Sequence, residues 1–289
     1  SLDLRSFDTH NVANMQNMFG ICQKLSFLDV SSFDTRNVAN MAGMFYACQG
    51  LTSLDLSSFD TKNVINMAYM FTGCQNVEKI YVDEGWTTEN VQTSNYMFNG
   101  CWKLVGQDGT EYKYGKEDAT YAHYKEDGYL SCLPKAYAVL EDDTLTFYYD
   151  ILKPERTGTV FSMDKFEWTG ETYRNAITTI SFDAAFKDYY GLTSTATMCS
   201  RMENLITIDG LDYLSTDSVT DMSAMFSGCQ SLTSLDLSNF NTEKVTDMSW
   251  MFGICQSLDS LNLGSFATGN VTKMNAMFRG CENLDTLYI

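Results

Sequence analysis

The chain of 289 residues holds two histidines, two prolines and only 19 cationic side chains. His10 and His123 alone give little material for a histidine metal site or a histidine-centred catalytic triad. Against those 19 Lys and Arg stand 37 Asp and Glu, a net charge of −18. Such a surplus repels phosphate backbones and anionic lipid, which argues against nucleic-acid partners. No apolar run approaches the roughly 20 residues a membrane-spanning helix needs, so no membrane insertion is expected. A phosphate-cradling glycine loop and a nucleophile elbow are both missing. The paired Asp142 and Asp143 read as a solvated turn. These shortages point away from an enzyme, and no cofactor or metal site is implied. What is plentiful is apolar: 44% hydrophobic and 13% aromatic residues, enough for an ordered core.

Self-similarity dominates that apolar content. "SLDLRSFDTHNVANMQNMFGIC" from Ser1, "FLDVSSFDTRNVANMAGMFYAC" from Phe27 and "SLDLSSFDTKNVINMAYMFTGC" from Ser53 align without gaps. Their cysteines, Cys22, Cys48 and Cys74, lie 26 residues apart, as do Cys229, Cys255 and Cys281. A copy with one inserted residue ends at Cys101. A degenerate one, "TSTATMCSRMENL", sets Cys199 in the Phe position and Met202 in the Cys position.

Each coil divides into two periods. "LTSLDLSSF" has the leucine spacing of a leucine-rich-repeat strand, with Leu54 and Leu56 inward and Asp55 outward. Val64, Met67, Met70, Phe71 and Cys74 then recur at intervals that predict one apolar face of a short helix, with Asp60, Thr61 or Asn63 as its cap. The fold class expected is therefore α/β, a leucine-rich-repeat solenoid of about 26 residues per coil. Thirteen of 16 methionines fall in two columns, Met15, Met41, Met67, Met222, Met248, Met274 and Met18, Met44, Met70, Met97, Met225, Met251, Met277, read as core. The nine cysteines follow the repeat rather than a pairing pattern and read as buried free thiols; helical faces packed about 8–10 Å apart would keep them separate.

Three segments follow: an N-terminal array of four coils at 1–104, a Tyr-rich β insert at 105–176 and a C-terminal array of four coils at 177–289, its first coil degenerate. Within the insert, "AYAVL" and "TLTFYY" flank a polar "EDD" and predict a β-hairpin, while Gly106–Gly128 is expected to loop out.

Two surfaces are candidates for partner binding. Asp3, Asp29, Asp55 and Asp236 would form an acidic column on the concave face, their repulsion relieved by hydrogen bonds from an adjacent coil or, less simply, by calcium. Tyr69, Tyr96 and Trp250 occupy a position that helical geometry turns away from the core, where the other coils hold Asn17, Gly43, Ala224 and Ala276.

The combination "LTSLDLSSFDTKNV…NMAYMFTGC", and more plainly "SLDLSNFNTEKVTDMSWMFGIC" from Ser234, resembles the BspA-like leucine-rich-repeat surface proteins of bacteria. That resemblance implies an extracellular, secreted or surface-anchored interaction module. It would adhere through protein–protein contacts to host matrix or to host or microbial surface proteins; the alternatives are a glycan-binding module using exposed Tyr and Trp, or a spacer that binds nothing. The family brings no catalytic motif to transfer. Because Ser1 and Ile289 both fall inside strand motifs, with signal and anchor segments lacking, the chain reads as a piece of a longer protein. "LDTLYI" parallels "VEKIYV", which precedes the insert, so the parent sequence is expected to continue past Ile289 into another Trp-containing turn and a second insert-like module. Reading the parent gene checks this, and a continuation without that module refutes it.

Overall fold

Where the intervals between Val64 and Cys74 predict a helix, the structure, a computed structural model describing residues 4–289, has a succession of tight turns. The N–H groups of Met67, Tyr69, Phe71 and Gly73 donate to Thr93, Asn95, Met97 and Asn99 of the next coil at 2.7–3.1 Å. Those of Met70, Thr72 and Cys74 turn back to Met67, Tyr69 and Phe71 within the coil at 3.0–3.2 Å. Ala68 N–H, the remaining donor, meets Asn66 Oδ1 at 3.0 Å. Eight consecutive donors are thus satisfied alternately between and within coils. Residues 222–229 repeat the scheme, with Asp221 Oδ1 accepting from Ser223.

This path needs left-handed backbone at every fourth residue, and it is there: Tyr69 and Gly73 have φ of 59° and 76°, Trp250 and Ile254 of 60° and 61°. No α-helix tolerates such residues. The helical half of the expected α/β class is therefore corrected. The α-helix among the described residues is α1, Glu171–Arg174, outside the repeats. Asp60 accepts from Lys62 N–H at 3.1 Å, Thr61 reaches the next coil and Asn63 donates to Arg36 O, so none caps a helix.

Buried threonines clamp neighbouring coils. Thr61 Oγ1 donates to Thr87 O at 2.7 Å and accepts from Thr87 N–H at 2.7 Å. Thr9, Thr35, Thr216 and Thr242 make the same reciprocal pair one coil on. On the strand side, β1 (Ser53–Asp55) pairs in parallel with β2 (Lys79–Val82) and β2 with β3 (Ser131–Cys132). Leu54 and Leu56 are buried and Asp55 exposed, as the alternation predicts. A serine of the next coil adds a second bond to a carbonyl already engaged in its own turn: Ser58 to Val30 O, which also accepts from Phe33 N–H, and Ser265 to Leu237 O, which also accepts from Phe240 N–H.

The chain divides into two units, Ser1–Leu133 and Pro134–Ile289, so the boundary falls within 105–176. In the first unit, Gly106–Gly128 does not loop out. Phe98 N–H donates to Glu117 O, Trp86 Nε1 to Ala122 O, and Tyr129, wholly buried, meets Phe98 edge-on. In the second, the expected hairpin is β4 (Lys135–Glu141) and β5 (Thr144–Asp150), turning through Asp142 and Asp143. β6 (Thr159–Ser162) pairs with β4, while β5 runs parallel to β7 (Thr179–Phe182) and β7 to β8 (Thr207–Asp209), so the hairpin extends the ladder of coils. β9 (Ser260–Asn262) pairs in parallel with β10 (Thr286–Tyr288).

Both methionine columns are core, save Met18 and Met274, which are exposed. Phe19, Phe45, Phe71 and Phe98 stack with centroids 5.5–5.7 Å apart. All nine cysteines are free, though Cys22 is exposed rather than buried. The reason differs from the one expected, since coils this close bring cysteines toward bridging range. Each column thiol after Cys22 instead points its S–H back at the preceding coil, as Cys74 Sγ does to Phe45 O and Cys255 Sγ to Phe226 O, both at 3.1 Å.

Thr61→Val, which strips two inter-coil bonds from a buried site, is expected to cost about 1–3 kcal/mol in urea unfolding, and Ser58→Ala, at an exposed residue, less than about 1. Equal losses would remove the clamp. Burial pushes the Cys48 thiol up from 9.0 to about 11, and Cys74 and Cys255 to about 12. Above pH 9 the unfolded chain therefore sheds thiol protons that the folded chain keeps. Stability that is complete below pH 9 should fall progressively toward pH 12. At neutral pH, alkylation followed by mass spectrometry should mark Cys22 far ahead of the buried column.

Candidate functional site

The left-handed positions project from the turns as two parallel columns. Asn17, Gly43, Tyr69 and Tyr96 form the first in one unit, and Thr197, Ala224, Trp250 and Ala276 in the other. Four residues later come Ile21, Ala47, Gly73 and Gly100, matched by Arg201, Gly228, Ile254 and Gly280. Each unit carries a notch on this face, of about 430 Å³ in the first and about 870 Å³ in the second.

In the first unit, Tyr69 and Tyr96 are 42% and 50% exposed and stack on each other at 5.5 Å. Tyr69 also borders the notch, with Tyr46 and Ile21. Gly43 also lines it, at φ 61°, and a Cβ there would push the exposed Asn17 side chain aside. In the second unit, Trp250 lies against Gly253 and under the Arg279 guanidinium, 5.4 Å from the ring centre. Arg201, Arg174 and Glu203 face the same notch, and Arg174 reaches Glu171 at 3.2 Å.

Tyr69 and Tyr96 are thus brought together as exposed neighbours. Trp250 holds the equivalent position in the other unit. The acidic column fares differently. Asp3 lies outside the described residues. Asp29 Oδ1 accepts from Ser31 N–H at 3.0 Å, Asp55 from Ser57 at 2.9 Å and Asp236 from Ser238 at 3.0 Å, so each is satisfied two residues on in its own coil. That corrects the expected donors from an adjacent coil. The Ser238 N–H holds the Asp236 carboxyl below the usual range. Past Asp55 the column is interrupted, since Asp55 sits opposite Tyr81 of the next coil. Among the described residues, no group of three His, Cys, Asp or Glu is placed to hold a metal ion. Tyr46, Ile21 and Arg201 were missed by sequence reasoning. Arg201 had a signal, since it carries a charge at the position before the cysteine site, where the other coils hold Gly, Ala or Ile.

Two solved structures are similar to the chain. One is a leucine rich cell surface protein from Faecalibacterium prausnitzii A2-165, 17% identical with a TM-score of 0.31, the alignment covering 94% of this chain and 68% of that one. The other is a leucine-rich repeat protein from Bacteroides ovatus ATCC 8483, 15% identical with a TM-score of 0.26, covering 94% and 57%. No curated protein matches. Residues 1–112 and 193–287 match the family described as "Mycoplasma protein of unknown function, DUF285".

Proposed function

This chain belongs to the DUF285 family, and we propose that it is the interaction module of a secreted or surface-displayed protein, adhering through protein–protein contacts along the turn face of its coils. The partners would be host matrix proteins or proteins of host or microbial surfaces. In this reading its two arrays form a leucine-rich-repeat-type solenoid that binds and carries out no chemistry.

The observation that supports it is where the aromatics stand. A left-handed backbone position suits Gly or Asn, as at Gly43 and Asn17, and is a strained outlier for a bulky ring, costing about 1–2 kcal/mol. The chain nonetheless places Tyr69, Tyr96 and Trp250 there, and the two tyrosines stay in solvent. Folding gains little from such rings, whereas exposed Tyr and Trp are favoured anchors of protein contacts.

Replacing both tyrosines, Tyr69→Asn with Tyr96→Asn, tests this. The thermal midpoint should hold within a few degrees, because relief of strain offsets about 0.5–1.5 kcal/mol of lost ring stacking. Binding to immobilised matrix proteins or to intact cells should drop at least about tenfold. Undiminished binding by the double variant would take adhesion off this face.

A further inference from the structure

The notch of the second unit differs from that of the first in charge and in volume, and we propose that it is a binding site for a saccharide bearing a carboxylate. The proposal stands on this notch alone and is separate from the adhesion reading.

Its shape comes from column composition. The middle coil contributes the small side chains Ala224, Ser227 and Gly228, with Gln230 beside them. The coil on one side raises Trp250 and Ile254, and the coil on the other raises Arg201. With coils stacked about 4.8 Å apart, the two walls stand about 10 Å from each other, room for one or two sugar rings. Trp250 is a fixed platform, backed by Gly253 so closely that a Cβ there would lie 2.5 Å from the indole. Arg279, 5.4 Å from the ring centre, belongs to the coil on the side away from Ala224, and Trp250 still lines the notch. An aromatic face of this kind suits the C–H face of a pyranose.

Charge selects the acidic form. Two arginines, Arg174 and Arg201, face the notch against one carboxylate, Glu203, in a chain whose net charge is −18. Arg174 is shared with Glu171, which leaves the exposed Arg201 as the planar donor for a ligand carboxylate. The same arrangement disfavours an extended peptide. Main-chain donors on the floor are already consumed, Ala224 N–H by Ser249 O, Ser227 N–H by Ala224 O and Gly228 N–H by Gly253 O, so no sheet edge is offered. What remains for recognition is side-chain hydroxyl and amide, from Ser227, Thr197 and Gln230.

The columns themselves supply variants that the backbone tolerates. Ala224→Tyr fills the floor with the residue found at 69 and 96, Trp250→Asn takes the residue found at 17, and Arg201→Gly that found at 73 and 228. The intact chain is titrated with a hyaluronan tetrasaccharide, followed by calorimetry, with neutral chitotetraose and a hexaglutamate peptide as comparisons. The acidic sugar is expected to bind at least about tenfold more tightly than either. Ala224→Tyr and Trp250→Asn should each lose at least about tenfold, and Arg201→Gly should erase the preference over chitotetraose. The Tyr69, Tyr96 double variant should bind the sugar as the parent does. Failure of the parent to bind, equal binding of hexaglutamate, or binding that survives Ala224→Tyr would each overturn the site, and none of these bears on adhesion to proteins.

Discussion

Every second N–H of the turn segment reaches the carbonyl of the next coil, and that hydrogen bond sets the geometry around it. It holds the turn wall at roughly the spacing that parallel strands impose on the opposite wall. A helical wall would have demanded about 8–10 Å per coil and splayed the two apart. Closeness has consequences for each column. Phenylalanine rings must lie flat on one another, as Phe45 and Phe71 do with an interplanar angle of 1°. Threonine hydroxyls come within reach of the next coil's N–H and C=O together. The thiols, brought near one another, find a carbonyl acceptor and stay reduced. The left-handed residues are the cost of the arrangement, at two positions per coil.

Because one backbone path recurs, a position whose side chain faces the interior is held to its type, and a position facing water is free. On the strand side that freedom is limited. The carboxylate at Asp29, Asp55 and Asp236 closes a turn in its own coil, and Asn262 does the same toward Gly264. Closing that turn holds the residue to Asp or Asn, whatever its second oxygen meets. On the turn face the first left-handed column is released from such work, and its occupants range from Gly43 to Trp250. Variation on a fixed scaffold is where recognition accumulates in repeat proteins.

The interior was legible because period and chemistry agree: Leu54, Leu56, Met67, Met70, Phe71 and Cys74 are all buried as their columns predict. The turn segment was not, since intervals of three, three, one and three fit a helix and a chain of tight turns equally well. What separates the two is local: an Asn or Asp directly before the first Met, as at Asn66 and Asp221, which closes an Asx turn, and a Gly or Asn recurring where the backbone turns left-handed. For the site, Tyr69 and Tyr96 were correctly read as facing outward, though by a helical argument that does not apply. Arg201 was hidden because its coil is the degenerate one, where alignment serves to recover the register rather than to read the exceptions.

A stack that satisfies itself by adding identical coils also needs a way to stop, and ring geometry supplies one in the first unit. From Phe19 to Phe98 the rings are near parallel, each offering the same face to a successor. Tyr129 then meets Phe98 at 81°, presenting an edge on which no further flat ring of the column can lie. Glu117 O takes the Phe98 N–H that would otherwise seek the next turn wall. In the second unit the column breaks at Cys199, which stands where a phenylalanine would, and Trp168 fills the space beside it and donates to Met198 O at 2.8 Å. The residues without repeat character thus answer a demand that the repeat creates. An end left open would expose both an aromatic face and a row of unpaired backbone groups, the condition under which strand edges recruit foreign chains.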